Sequence, residues 1–201
     1  MITTDPKILG LAFVSGIIPS LFWLWFWLKE DKKNPEPKGL LALVFIIGMA
    51  TVMLVLPLQK AIRTFGLPYE LELTAWASAE ELLKFIMVLL VVSNTGQADE
   101  PIDWPIYLMT TALGFAALEN MLFLLKPFML GDTVVGLLTG QLRFLGSTLL
   151  HTVASGIIGI SMGLSFYLPN LKKKLYIMVG IIVAIALHTI FNFFIMKNEG
   201  I

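Results

Sequence analysis

Six stretches of about 20 apolar residues dominate the chain, each long enough to cross the ~30 Å hydrocarbon core of a bilayer as a helix. They are residues 8–28, 39–58, 69–92, 106–125, 145–168 and 175–196. Lipid offers no partner to a backbone N–H or C=O, so a spanning segment must satisfy these groups within its own helix or within a closed barrel. No run alternates as a barrel strand would. The expected fold is therefore all-α: a polytopic membrane helical bundle of about six transmembrane helices, with residues 1–201 forming a single integral-membrane domain. Composition agrees, since only 14% of the 201 residues are charged and 57% are hydrophobic, whereas soluble domains carry roughly 25% charge.

The connections read as short. Residues 29–38 (KEDKKNPEPK) are polar, residues 93–103 (SNTGQADEPID) form a turn, and residues 170–174 (NLKKK) form a tight basic turn. Residues 129–144 are too polar and Gly-rich for a span and read as a short interfacial or re-entrant helix before the fifth. The first window is longer than a signal-peptide core, lacks an A-x-A cleavage site and ends in charge, so it reads as an uncleaved anchor. Trp23, Trp25 and Trp27 read as an aromatic belt at its end. Gly156, Gly159 and Gly163 read as points of close helix approach. The 14 Lys+Arg balance the 14 Asp+Glu, which leaves no basic field for nucleic acid. The chain has no cysteine, which excludes disulfides, thiolate metal sites and Cys nucleophiles.

Orientation follows from Lys/Arg bias. With six spans, Lys29, Lys32, Lys33, Lys38, Lys172, Lys173 and Lys174 share one side. Lys7, Lys60, Arg63, Lys126, Arg143 and Lys197 share the other. The dense clusters place the first side in the cytoplasm, with both termini outside.

Ionisable residues within spans are costly and are functional candidates by default. The third window carries Glu80, Glu81 and Lys84, the fourth Glu119, the fifth His151 and the sixth His188. His151 is followed four residues on by Ser155, and His188 by Asn192, a spacing that puts each pair on one helical face. At ~1.5 Å per residue, Glu80 and Glu81 lie about 16–18 Å from the outer end of their window, Glu119 and His151 about 9 Å, and His188 about 12 Å. At about 100° per residue, Glu80 and Glu81 point apart while Lys84 reaches either. One Glu should then face a cavity and the other be held by Lys84 or by a neighbouring helix. Alone, Ser155 and Asn192 would be helix-to-helix hydrogen-bonding residues, and Arg143 reads as an interface anchor before a site residue. Together, the acids and imidazoles on four helices exceed what packing requires.

The ordered set Glu80-Glu81-Leu82-Leu83-Lys84, Phe115-Ala-Ala-Leu-Glu119, His151-Thr-Val-Ala-Ser155 and His188-Thr-Ile-Phe-Asn192 resembles the PrsW family of intramembrane proteases. That family is grouped in a wider superfamily with type II CAAX prenyl endopeptidases and the Aph subunit of gamma-secretase. The match covers residues of about 75 to 195. It implies proteolysis of a membrane-anchored protein substrate, with first-step cleavage of an anti-sigma factor as the associated role. It also implies a cell-membrane, multi-pass location with the site opening to the extracytoplasmic side. The prenyl endopeptidases have Arg one position later in the first motif and His where Glu119 stands, which argues against prenyl-protein processing here.

Peptide hydrolysis needs an activated water, an oxyanion stabiliser and a proton donor for the amine. In a glutamate reading, Glu80 or Glu81 is the base, Lys84 tunes it, His188 and Asn192 stabilise the oxyanion, His151 positions water or protonates the amine, and Glu119 orients an imidazole. In a metal reading, His151, His188 and a Glu, with Glu119 the first candidate, hold a divalent ion such as zinc, and another Glu is the base. The absence of H-E-x-x-H tilts the residues toward the glutamate version. A Ser155–His151 dyad would lie within a single helix. A proton-coupled transporter and a non-catalytic scaffold are the readings outside enzymology. Inverted repeats, common in transporters, are missing from the sequence.

Overall fold

A computed structural model of the protein describes residues 5–29, 34–131 and 133–198. The middle of the first connection, residues 30–33 with Lys32 and Lys33, lies outside the described residues. So does the side chain of Lys197. The described residues form seven helices and no strand: α1 (Pro6–Trp27), α2 (Lys38–Arg63), α3 (Tyr69–Val92), α4 (Asp103–Met129), α5 (Thr133–Leu145), α6 (Ser147–Leu164) and α7 (Asn170–Asn198).

Local chemistry explains the boundaries. Asp5 caps α1 by accepting from the Lys7 N–H at 2.9 Å, and Pro6 occupies a first-turn position where its missing N–H costs nothing. The α2–α3 turn passes through Gly66 at φ +60°, and α4 ends at Leu130 followed by Gly131 at φ +75°, backbone that glycine adopts without strain. A single residue, Gly146, separates α5 from α6.

The helices outrun their apolar windows. The second extends to Arg63, and the last begins at Asn170, so Lys172, Lys173 and Lys174 form early turns of α7 rather than a connection. The connection is the preceding segment, residues 165–169. Hydropathy marks where lipid ends, whereas i→i−4 bonding continues into water. Among the described residues, five helical stretches are long and apolar enough to cross a membrane: α1, α2, α4, the α5–α6 stretch from Val134, and α7. At 24 residues α3 has the length, but it carries Glu70, Glu72, Glu80, Glu81 and Lys84.

The centre of the bundle is α4, with 67% of its apolar stretch buried against 17% for α1 and α7. It packs against α1, α2, α3, α5 and α6. Glycines set the closest crossings. A Cβ on Gly114 would lie 1.9 Å from the Phe45 carbonyl oxygen, and one on Gly48 would lie 2.0 Å from that of Thr111. On α6, a Cβ on Gly159 would meet the Pro105 Cα at 2.5 Å. Trp23 and Trp27 pack against Phe45, Leu113 and Ala117. The belt reading thus suits only Trp25, which is exposed beneath Lys29; burial against α2 and α4 claims the other two.

Candidate active site

The helices α3, α4, α6 and α7 bring their ionisable groups into one connected cluster. Glu81 and Lys84 sit three residues apart on one face of α3 and form an ion pair of 2.6 Å with no exposure on either side chain. Glu81 also accepts from Ser155 Oγ at 3.0 Å and faces His188 Nδ1 at 2.8 Å. Lys84 Nζ lies 3.3 Å from His151 Nδ1. His151 Nε2 lies 3.2 Å from Glu119 Oε2. Glu119 is ion-paired with Arg143 and accepts from Ser147 Oγ at 3.2 Å.

Partner chemistry assigns the imidazole protons. An ionised carboxylate only accepts and an ammonium only donates. Glu81 therefore accepts from the His188 Nδ1–H, which leaves Nε2 of that ring turned toward Glu80. Lys84 donates to His151 Nδ1, so Nε2–H of that ring points at Glu119. Each imidazole has one nitrogen fixed by a carboxylate, and each carboxylate is neutralised by a cation, Lys84 for Glu81 and Arg143 for Glu119. The two rings meet edge-on at 5.0 Å.

Glu80 differs from its neighbours. Its Oε1 accepts from Gln59 Nε2 on α2 at 2.8 Å. Its Oε2 is buried with no hydrogen-bond partner among the described residues, and lies 3.6 Å from His188 Nε2. The two atoms thus stand beyond direct hydrogen-bonding distance. An orphaned buried carboxylate oxygen is costly, and a cation between the two groups removes that cost. The donor set fits one: Glu80, His151 and His188 each offer an atom within 4.8 Å of the others, and two His with one carboxylate is a known catalytic zinc set. Ligands bound to a tetrahedral zinc at about 2.0–2.1 Å stand roughly 3.3–3.4 Å apart, so modest side-chain movement closes the set. In this geometry Glu80, not Glu119, joins the two imidazoles.

Phe115, one turn before Glu119, covers Lys84 Nζ with its ring centroid at 5.0 Å and touches the His151 ring at 5.1 Å. An aromatic face is a favourable cover for a buried ammonium, which gives the F-x-x-x-E spacing a physical role. Asn192 is half-buried on α7, and its side chain has no hydrogen-bond partner among the described residues.

Two contacts escaped the sequence reading. Gln59 lies one residue beyond the second apolar window and had no motif to mark it. Arg143, read as an interface anchor, instead donates to Glu119, to Asn120 Oδ1 at 2.6 Å and to Ser147 Oγ at 3.0 Å, and lies 3.8 Å over the Phe123 ring. A cation in the last turn of an amphipathic helix resembles a lipid anchor; only the break at Gly146 turns it inward.

Fold and site together define a polytopic helical membrane protein with a buried carboxylate–imidazole centre. A family model described as PrsW family intramembrane metalloprotease matches residues 36–201, and the chain belongs to that family. It is similar to Protease PrsW of Geobacillus kaustophilus, 26% identical over 188 residues, covering 92% of this chain and 80% of the relative. It is 29% identical over 195 residues to Protease PrsW of Shouchella clausii, with 93% and 84% covered. The Bacillus subtilis Protease PrsW is 22% identical over 182 residues, with 89% and 80% covered. No solved structure matches the chain. The protein is a multi-pass membrane protein and an intramembrane protease acting on a protein substrate in the membrane.

Proposed function

We propose that the cluster is the hydrolytic centre of a metal-dependent intramembrane endopeptidase, with Glu80, His151 and His188 holding a divalent cation such as zinc. The observation that carries this is the unpartnered Glu80 Oε2 facing His188 Nε2 at 3.6 Å. When bound, the cation would polarise the scissile carbonyl and lower the pKa of water at the site. Glu81 holds His188 in the tautomer that leaves Nε2 free, and Glu119 does the same for His151 Nδ1 once Lys84 turns wholly to Glu81. Such carboxylate–histidine pairs are the usual support of metal-binding imidazoles.

Glu119 has the best solvent access of the three acids, its side chain 20% exposed against 5% for Glu80 and 0% for Glu81. Its Oε2 takes Arg143, Ser147 and His151, so its other oxygen serves as the base. A water proton passes to Glu119, the water oxygen bonds to the peptide carbonyl carbon, the C–N bond breaks, and the same proton goes to the departing amine. Asn192, uncommitted to other described residues, donates to the carbonyl oxygen as charge develops there.

Lys84 so close to His151 Nδ1 favours a second reading, in which Glu80 alone activates water and no metal takes part. Cleavage of single-span substrates by purified protein separates the two. Under the metal reading, chelation abolishes cleavage and zinc restores it, and Glu80→Gln is inactive. Chelator-resistant cleavage with an inactive Glu80→Gln favours the glutamate reading. An active Glu80→Gln refutes both.

The substrate class is a membrane-anchored anti-sigma factor, supported by the family resemblance. With α3 as the sixth span and the lysines at the starts of α2 and α7 in the cytoplasm, the site opens to the extracytoplasmic side.

A further inference from the structure

We infer that Gln59 is a positioning residue for the hydrolysis, holding one oxygen of Glu80 so that the other is presented to His188. The inference rests on Glu80 acting in the hydrolytic centre and extends that centre to α2, a helix that none of its other members occupies.

The geometry begins with how α2 meets α3. Val52 and Val55 on α2 cluster with Leu83 of α3. One turn on, Gln59 donates to Glu80 at 2.8 Å, and a further turn on Arg63 pairs with Glu72 at 3.2 Å. Positions 52, 55, 59 and 63 lie on one face of a helix, and their partners run backwards along α3, as in an antiparallel hairpin. Gln59 is the polar rung between an apolar contact and a water-exposed ion pair.

That rung has a specific chemical consequence. Glu80 is buried, and among the described residues the Gln59 amide is the hydrogen-bond donor that its carboxylate has, on Oε1. Carboxylates rotate easily about their last torsion. Without the amide, no hydrogen bond from the described residues would fix which oxygen faces His188. Lys84, the nearest ammonium on the same helix, is committed to Glu81 at 2.6 Å. Gln59 suits the task because its amide donates without adding charge; a Lys or Arg there would pair with Glu80 and compete for the lone pair that Oε2 presents. Pro57, two residues earlier, lacks the N–H that would bond the turn before it, leaving that part of α2 free to follow α3.

The test uses the purified full chain with a single-span substrate and zinc as the probe. Gln59→Met keeps side-chain length and removes the donor. Its kcat should fall about 10–100-fold with KM little changed, and its zinc affinity, measured by competition with a chelator, should weaken by about the same factor. Gln59→Leu likewise removes the donor without adding charge, and provides the same test if the Met variant does not fold. Arg63→Gln is the control. It cuts the neighbouring α2–α3 contact, and its kcat and zinc affinity should match the parent. Equal losses in Arg63→Gln and Gln59→Met would overturn the inference by reducing Gln59 to helix docking. Parental kcat in both Gln59 variants, with Glu80→Gln inactive, would overturn it while leaving the hydrolytic centre intact. Activity in Glu80→Gln would instead overturn the reading on which it rests.

Discussion

Replacing Lys84 by Met should cost about 3–5 kcal/mol of stability, the penalty for stripping one partner from a buried ion pair. Lys84 and Glu81 have no exposure and stand 2.6 Å apart, a separation at which an effective dielectric of about 20 gives an attraction of about 6 kcal/mol. Desolvation of each ion opposes that by several kcal/mol, so the pair itself contributes little net. The asymmetry appears when one member is lost: Glu81 keeps Ser155 and His188 as donors but loses its ammonium partner. At about 2–4 °C per kcal/mol for a chain of this size, Lys84→Met should melt roughly 6–20 °C below the parent in detergent. Adding Glu81→Gln to Lys84→Met removes the stranded charge and should recover more than half of the loss. A single variant costing under about 1 kcal/mol, or a double variant no more stable than the single, would refute the argument that Lys84 is there to neutralise Glu81.

Gly114→Ala places a methyl against the Phe45 backbone oxygen, so α2 must move off α4; a loss of about 1–3 kcal/mol is expected from overpacking, read as a lowered melting temperature. Ser155→Ala removes a hydrogen bond to a buried carboxylate and should cost about 1.5–3 kcal/mol while cleavage persists. Abolished cleavage in a folded Ser155→Ala protein would instead support a serine nucleophile. Arg143→Gln should lower kcat about 10–100-fold by loosening Glu119 and, through it, His151. Its melting temperature should shift less than that of Lys84→Met, because this pair is partly exposed. Arg143→Lys should fall between Gln and the parent, since an ammonium lacks the planar fork that reaches Glu119, Asn120 and Ser147 together.

The spans were readable because lipid leaves the backbone so few options; 20 apolar residues in a row have few folds besides a helix. The convergence of Glu80, Glu81, Glu119, His151 and His188 was readable for a related reason. Each is expensive in its own helix, and a common polar pocket is the cheapest arrangement for all of them. The division of labour between Glu80 and Glu81 was only half visible, because helical angles say that they diverge but not which one Lys84 takes. Gln59 and Arg143 were hidden. A glutamine near the end of an apolar helix looks like any interfacial residue, and its link to Glu80 depends on how α2 and α3 register. Arg143 lies on α5, whose direction is set at Gly146 by tertiary packing. The early turns of α7 were missed because three successive lysines read as a loop when hydropathy is the only guide.

Metal analysis of the purified protein is the most direct test of the account. One tightly held divalent ion per chain in the parent, lost in His188→Ala and in Glu80→Gln, is the predicted result. A metal-free parent that cleaves its substrate at full rate in chelator would contradict it.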